Sequence, residues 1–128
     1  SPTGNPFGRW WSDSADYTND EWYTEQILKG NQTYFTNLLR AERHVVINTV
    51  YAKLGFQPTA AGYTYGWVYD PAKEKTGENA VNFRCIKTKR CPDPVNHPDK
   101  VIDDYYLDFD VQGDITDKAI ALKALDVV

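Results

Sequence analysis

The 128-residue sequence contains no methionine, two cysteines and two histidines. So few thiols and imidazoles leave little material for a zinc centre, whose usual four ligands come from those groups. No apolar run approaches the roughly 20 residues that span a bilayer, and no signal-peptide pattern opens the chain. A start at Ser1-Pro2 without methionine is expected of a processed or excised chain, with any targeting signal upstream, so localisation is not legible. An excess of positive charge is missing as well. Lys and Arg number 14 against 18 Asp and Glu, giving a net charge of -4 and a pI near 5.0. That balance argues against an extended nucleic-acid surface, which draws its affinity from clustered cations. There is no internal repeat, no low-complexity tract and no Gly-x-Ser-x-Gly nucleophile elbow.

What the chain has is aromatic surface. Nine tyrosines, four tryptophans and five phenylalanines make up 14% of the residues, within a 41% hydrophobic composition that is too apolar for a disordered tail. The length fits one domain with one core. Residues 1–18 read as an irregular arm: Pro2, Gly4, Pro6 and Gly8 discourage regular structure, while Phe7, Trp10 and Trp11 are costly to leave in water. The arm is expected to pack on a body formed by residues 19–128, with a sticky lip for a partner as the functional alternative.

The sharpest change of pattern lies between Thr49 and Asp70. Gly55 suits the left-handed position past a helix end, which places Phe56 against Tyr51, and Pro58 keeps the helix from resuming. Upstream, Thr18 and Glu21 have capping-box spacing, so a helix is predicted from about Asp20, breaking or kinking at Gly30-Asn31. From Gln32 to Leu54 a second, stronger amphipathic helix is predicted, with Phe35, Leu38, Leu39, Val45, Val46, Val50 and Leu54 on one stripe. Alternation then sets Tyr63, Tyr65, Trp67 and Tyr69 on one face of a strand. The expected architecture is α+β: a three-stranded antiparallel meander (64–70, 81–86 and 105–111) covered by the long amphipathic helix. The aromatic arm and a short C-terminal helix close its edges; that helix, capped by Asp114 or Thr116, carries Ile120, Ala121 and Leu125 on its apolar side.

The segment VINTVYAKLGFQPTAAGYTYGWVYDP, followed by GENAVNF and YYLDFDVQGDI, resembles an uncharacterised domain-of-unknown-function family of bacteriophage and Gram-positive bacterial proteins. GWVYDP (66–71) and LDFDVQG (107–113) carry the resemblance most specifically, and an FGRWWSDSADY-like lead-in precedes them. The resemblance implies phage or prophage origin, location in a virion or infected bacterial cell, and membrane attachment through segments outside this chain. It implies no activity and no catalytic residues. The stretch CIKTKRCPDPVNHPDK (85–100) departs from the pattern.

Candidate sites are few. Asp108, Asp110 and Asp114, with Gly113 and Ile115, imitate the first half of a calcium loop, but the twelfth position is Ala119 and the segment follows a strand. A solvated strand edge with a glycine turn accounts for the same acids, as it does for Asp103 and Asp104. Cys85 and Cys91 are a disulfide candidate, or with His97 part of a zinc site; two unlinked thiols, Cys85 facing the core beside Phe83, are the plainer reading. His44, beside Glu42 and Arg43, reads as structural. Arg84, Lys87, Lys89 and Arg90 form a small basic patch, set by alternation opposite Phe83, which does not suit single-stranded nucleic acid. Asn31-Gln32-Thr33 matches a glycosylation sequon by chance.

These features lead us to expect a non-enzymatic protein-interaction or structural module without a cofactor. It would bind a protein partner or itself through Trp10, Trp11 and the basic 85–100 loop. Alternative readings are a small-ligand protein with a nucleotide-like ligand, or a metal-dependent hydrolase using Asp108, Asp110 and Asp114.

Overall fold

The computed structural model describes residues 2–120. The chain forms strand β1 (Arg9–Trp10), helix α1 (Glu21–Glu42), β2 (His44–Val46), α2 (Ile47–Leu54), β3 (Tyr65–Val68), β4 (Phe83–Arg90), β5 (Ile102–Phe109) and β6 (Gly113–Asp114). A final helix, α3, opens at Thr116 and is described to residue 120. The class is α+β, as the sequence predicts, but the strands fall into two antiparallel three-stranded sheets, ordered β1-β5-β4 and β2-β3-β6. The expected meander is therefore split: β3 pairs with β2 and β6, not with β4.

The split originates in the long helix. A single helix over Gln32–Leu54 with a break at Gly30 is not what forms. Gly30 lies inside α1 on an exposed face, where its cost is about 1 kcal/mol, and Asn31 Nδ2 donates to the Ile27 carbonyl at 2.9 Å, bracing that turn. The helix ends instead at Arg43, which adopts φ 73, and the β-branched pair Val45-Val46 becomes a strand before α2 begins. Val45 aligns with Trp67, and Gly66 approaches so closely that a Cβ there would overlap the Val45 carbonyl oxygen. The N-cap also shifts from the expected box: Asp20 accepts from the Tyr23 N–H at 2.9 Å, and Thr18 accepts from the Asp20 N–H.

The end of α2 matches its prediction. Gly55 is left-handed with φ 84, the Phe56 N–H donates to the Tyr51 carbonyl at 2.8 Å, and the two rings meet edge to face at 6.0 Å. One core collects Trp11, Phe35, Leu39, Ile47, Val50, Tyr51, Leu54, Trp67, Leu107 and Phe109. Of the aromatic face predicted for β3, Trp67 alone is fully buried. Tyr63 is 65% exposed, Tyr65 rests against Phe7 at 5.3 Å, and Tyr69 lies under Arg43. The arm is part of the body: β1 pairs with β5, and Gly8 abuts Tyr106 so tightly that a Cβ would overlap the phenol oxygen. Asp114 caps the opening of α3 by accepting from the Thr116 N–H at 3.0 Å; Ile120 is exposed, and Ala121 and Leu125 lie outside the described residues.

Trp67→Ala removes a fully buried ring and should lower stability by about 3–5 kcal/mol, measured by chemical denaturation. A loss below about 1 kcal/mol would contradict the placement of β3 in the core.

Candidate functional site

Most candidates from the sequence fall on β4, β5 or the ends of these strands; Trp10, Trp11, His44 and Asp114 lie elsewhere. The β4–β5 ladder is long and regular, running from Phe83↔Phe109 to Arg90↔Ile102. Its register sets basic residues opposite acidic ones. Arg84 meets Asp108 at 2.5 Å, Lys89 meets Asp103 at 3.0 Å, Arg90 meets Asp104 at 3.2 Å, and Lys87 reaches Glu21 on α1. The basic patch is thus neutralised, and its cations are turned towards protein carboxylates. The three exposed pairs contribute little each to stability, about 0–1 kcal/mol.

Asp104 differs because it has no exposed surface. Its carboxylate accepts from the Ser12 N–H at 3.0 Å, the Ser12 hydroxyl at 2.5 Å, the Arg90 guanidinium at 3.2 Å and its neighbour's Tyr105 N–H at 2.8 Å. Arg90 in turn stacks over Trp10 at 4.4 Å, and Trp10 packs edge to face on Tyr106 at 5.2 Å. Trp11 enters the core with 1% exposure. Trp11 therefore cannot serve as a sticky lip, and Trp10 is held between Arg90 and Tyr106; burial of large aromatic surface decides both placements.

The three calcium-loop acids are not brought together. Asp108 accepts from Asn5 at 2.9 Å, Thr3 at 3.1 Å and Arg84. Burial works to raise its pKa, but these hydrogen bonds outweigh it and hold the carboxyl below its usual range. Asp110 lies past the end of β5, and Asp114 belongs to the other sheet, where hydrogen bonds from Thr116 lower its pKa. Among the described residues no group of three His, Cys, Asp or Glu side chains could hold a metal ion, so the calcium and zinc arrangements both lack their geometry. A disulfide is ruled out by the same ladder. Both thiols are free, and β4 stays extended past Ile86 to Arg90, separating Cys85 from Cys91 by roughly 20 Å, against a limit near 7 Å between bridged Cα atoms. Cys91 Sγ donates to the His97 carbonyl at 3.3 Å. Cys85 is exposed as a residue, contrary to its expected core position, yet burial around its thiol, then the charge of Glu25, push it up to about 11. His44 sits in β2 opposite Val68, its Nδ1 3.2 Å from the Glu42 carbonyl.

Among the described residues the outer side of β4 has no neighbouring strand. The Asp110 N–H donates to the Asn82 carbonyl at 3.3 Å, which sets the phase of the ladder. By alternation, residues 84, 86, 88 and 90 exchange bonds with β5, while Cys85, Lys87 and Lys89 aim their backbone groups outward. Among the described residues the one partner found for those groups is the Thr88 hydroxyl, 3.4 Å from the Lys89 carbonyl. At the start of this strand a cavity of about 610 Å³ opens between Asn5, Phe7, Gln32, Arg84, Asp108 and Val111. Of its charged lining groups, Arg84 and Asp108 are already paired with each other, which leaves Asp110. The Ser12–Asp104–Arg90 clasp escaped the sequence reading, although the opposed runs FRCIKTKR and IDDYYLDF carried its signal in their charge order.

Asp104→Ala deprives Ser12 and Arg90 of their acceptor and should lower stability by about 3–5 kcal/mol in chemical denaturation. In a Cys91→Ser background, alkylation of Cys85 should keep accelerating until about pH 11; a plateau near pH 9, where an ordinary thiol ionises, would contradict the raised pKa.

No match was found among curated proteins or among solved structures. The profile of the family of unknown function DUF6353 matches residues 7–120. That span runs from the arm through both sheets to α3, and the chain therefore belongs to the DUF6353 family.

Proposed function

We propose that this domain is a non-enzymatic protein-interaction or structural module, of phage or prophage origin as the sequence resemblance implies, and that it engages its partner by strand addition at β4. The observation that carries the reading is the eight-residue edge of β4, with outward backbone groups at Cys85, Lys87 and Lys89 and, among the described residues, no strand beside it. Natural edges are commonly protected by charged side chains that repel or desolvate poorly against an incoming strand. Here Arg84, Lys87, Lys89 and Arg90 are drawn onto Asp108, Glu21, Asp103 and Asp104, so the protection is spent inside the domain. An extended segment added at this edge gains main-chain hydrogen bonds, with side-chain contacts setting its specificity. The aromatic arm serves this reading as a scaffold, pinned behind β5 by Asp104. The hydrolase reading loses support, since Asp108, Asp110 and Asp114 do not share a site.

Lys87→Pro removes an outward N–H while leaving the β5 ladder intact, because proline is tolerated on an edge where the N–H faces away from the sheet. The variant should stay folded by circular dichroism. It should lose both concentration-dependent self-association and any protein retained by the unmodified domain in a capture experiment. Equal association by the folded variant would count against strand addition at β4.

A further inference from the structure

The cations of β4 are paired, but those at the far end of α1 are not. Arg40 lies in its last turn and Arg43 forms its C-cap; neither has a hydrogen-bonded carboxylate or carbonyl for its guanidinium among the described residues. Arg43 is the one non-glycine residue with positive φ among the described residues, at 73. That conformation is unfavourable for an ordinary side chain, because it brings Cβ too close to the following carbonyl oxygen. It turns the Arg43 side chain onto Tyr69, with the guanidinium 4.8 Å from the ring centre, and the Tyr69 N–H donates to the Arg43 carbonyl at 2.7 Å. The stack fixes the guanidinium plane while leaving its N–H edge unspent.

Opposite stands the loop after β3. Asn79, buried at 5% exposure, closes it by accepting from the Asp70 N–H at 2.8 Å and donating to the Asp70 carbonyl at 2.9 Å. The loop presents Lys75 and Gly77, whose φ of 77 goes with open space at its Cβ position. Arg40, Arg43, Tyr69, Lys75 and Gly77 line a cavity of about 470 Å³, together with Asn79 and one carboxylate, Glu74. Three cations against one anion form a positive concavity on a chain whose net charge is -4. Its volume is that of small-molecule sites, and a planar guanidinium held by stacking is suited to bidentate contact with phosphate.

We infer that this cavity binds a small phosphate-bearing molecule carrying about two negative charges, with Arg43 as the oriented fork and Arg40 and Lys75 as flanking cations. The competing account is that Arg40 and Arg43 merely complement the negative end of α1, which also favours cations. The two accounts separate in an NMR titration of the intact domain at low salt with inorganic phosphate, pyrophosphate and adenosine diphosphate. The inference expects saturable shifts confined to Arg40, Arg43, Tyr69 and residues 74–79. Arg43→Asn, which keeps the left-handed turn, and Arg40→Gln should each weaken binding by on the order of tenfold or more, with Arg84→Gln unchanged. Binding by pyrophosphate and by the nucleotide alike assigns the phosphates as the recognised group; binding by the nucleotide alone adds its base and ribose to the contacts. Absence of saturable shifts with all three probes, or unaltered affinity in folded Arg43→Asn and Arg40→Gln, would overturn it and leave the helix-end account.

Discussion

A carboxylate without solvent must be surrounded by donors, and Asp104 is surrounded by donors from three parts of the chain. Ser12 comes from the arm, Arg90 from the end of β4 and the Tyr105 N–H from β5 itself. Burying the charge is costly unless all its partners are present, so the three segments are obliged to meet in one arrangement. The rest of this side of the molecule follows. Arg90, once drawn to Asp104, covers Trp10; Trp10 covers Tyr106; and the arm becomes the third strand of the first sheet. On the other face of that sheet, Leu107 and Phe109 meet the core supplied by both helices.

The same pairing of charge governs the surface. A strand with four basic residues ordinarily advertises itself as a cationic patch. Here the register against β5 and the reach of Glu21 convert it into a neutral edge. The positive field moves elsewhere, to the end of α1, where Arg40 and Arg43 form no ion pair among the described residues. Two surfaces of different chemistry result: a backbone edge suited to an extended segment, and a small positive cavity suited to an anion. Neither was visible in net composition, because the total charge sums over pairs that cancel.

Legibility followed the range of the interaction that decides each feature. The end of α2 is local: Gly55, Phe56 and Tyr51 lie within one turn, and their geometry is as expected. Alternation alone places Trp67 in the core, since a large apolar ring has few other places to go. The start of α1 agrees with its prediction near Asp20, whereas its far end differs because local propensity is weaker than tertiary context. Gly30 is tolerated on an exposed face, whereas Val45 leaves the helical stripe to pair with Trp67. The division into two sheets depends on that one exchange of partners, which no local pattern encodes. Among the candidate site residues, the basic patch and the acidic pairs are each legible in the sequence. Their mutual cancellation needed the β4–β5 register, and the thiols were separated by a strand longer than its alternation suggested.

Strand addition requires β4 to be an open edge, and residue-resolved amide hydrogen exchange examines this directly. In the dilute domain, the N–H groups of Cys85, Lys87 and Lys89 should exchange much faster than those of Arg84, Ile86 and Thr88, which face β5, and should become protected when a partner strand is added. Uniform slow exchange along the whole of β4 in the dilute domain would mean that the edge is already covered, and would contradict the account.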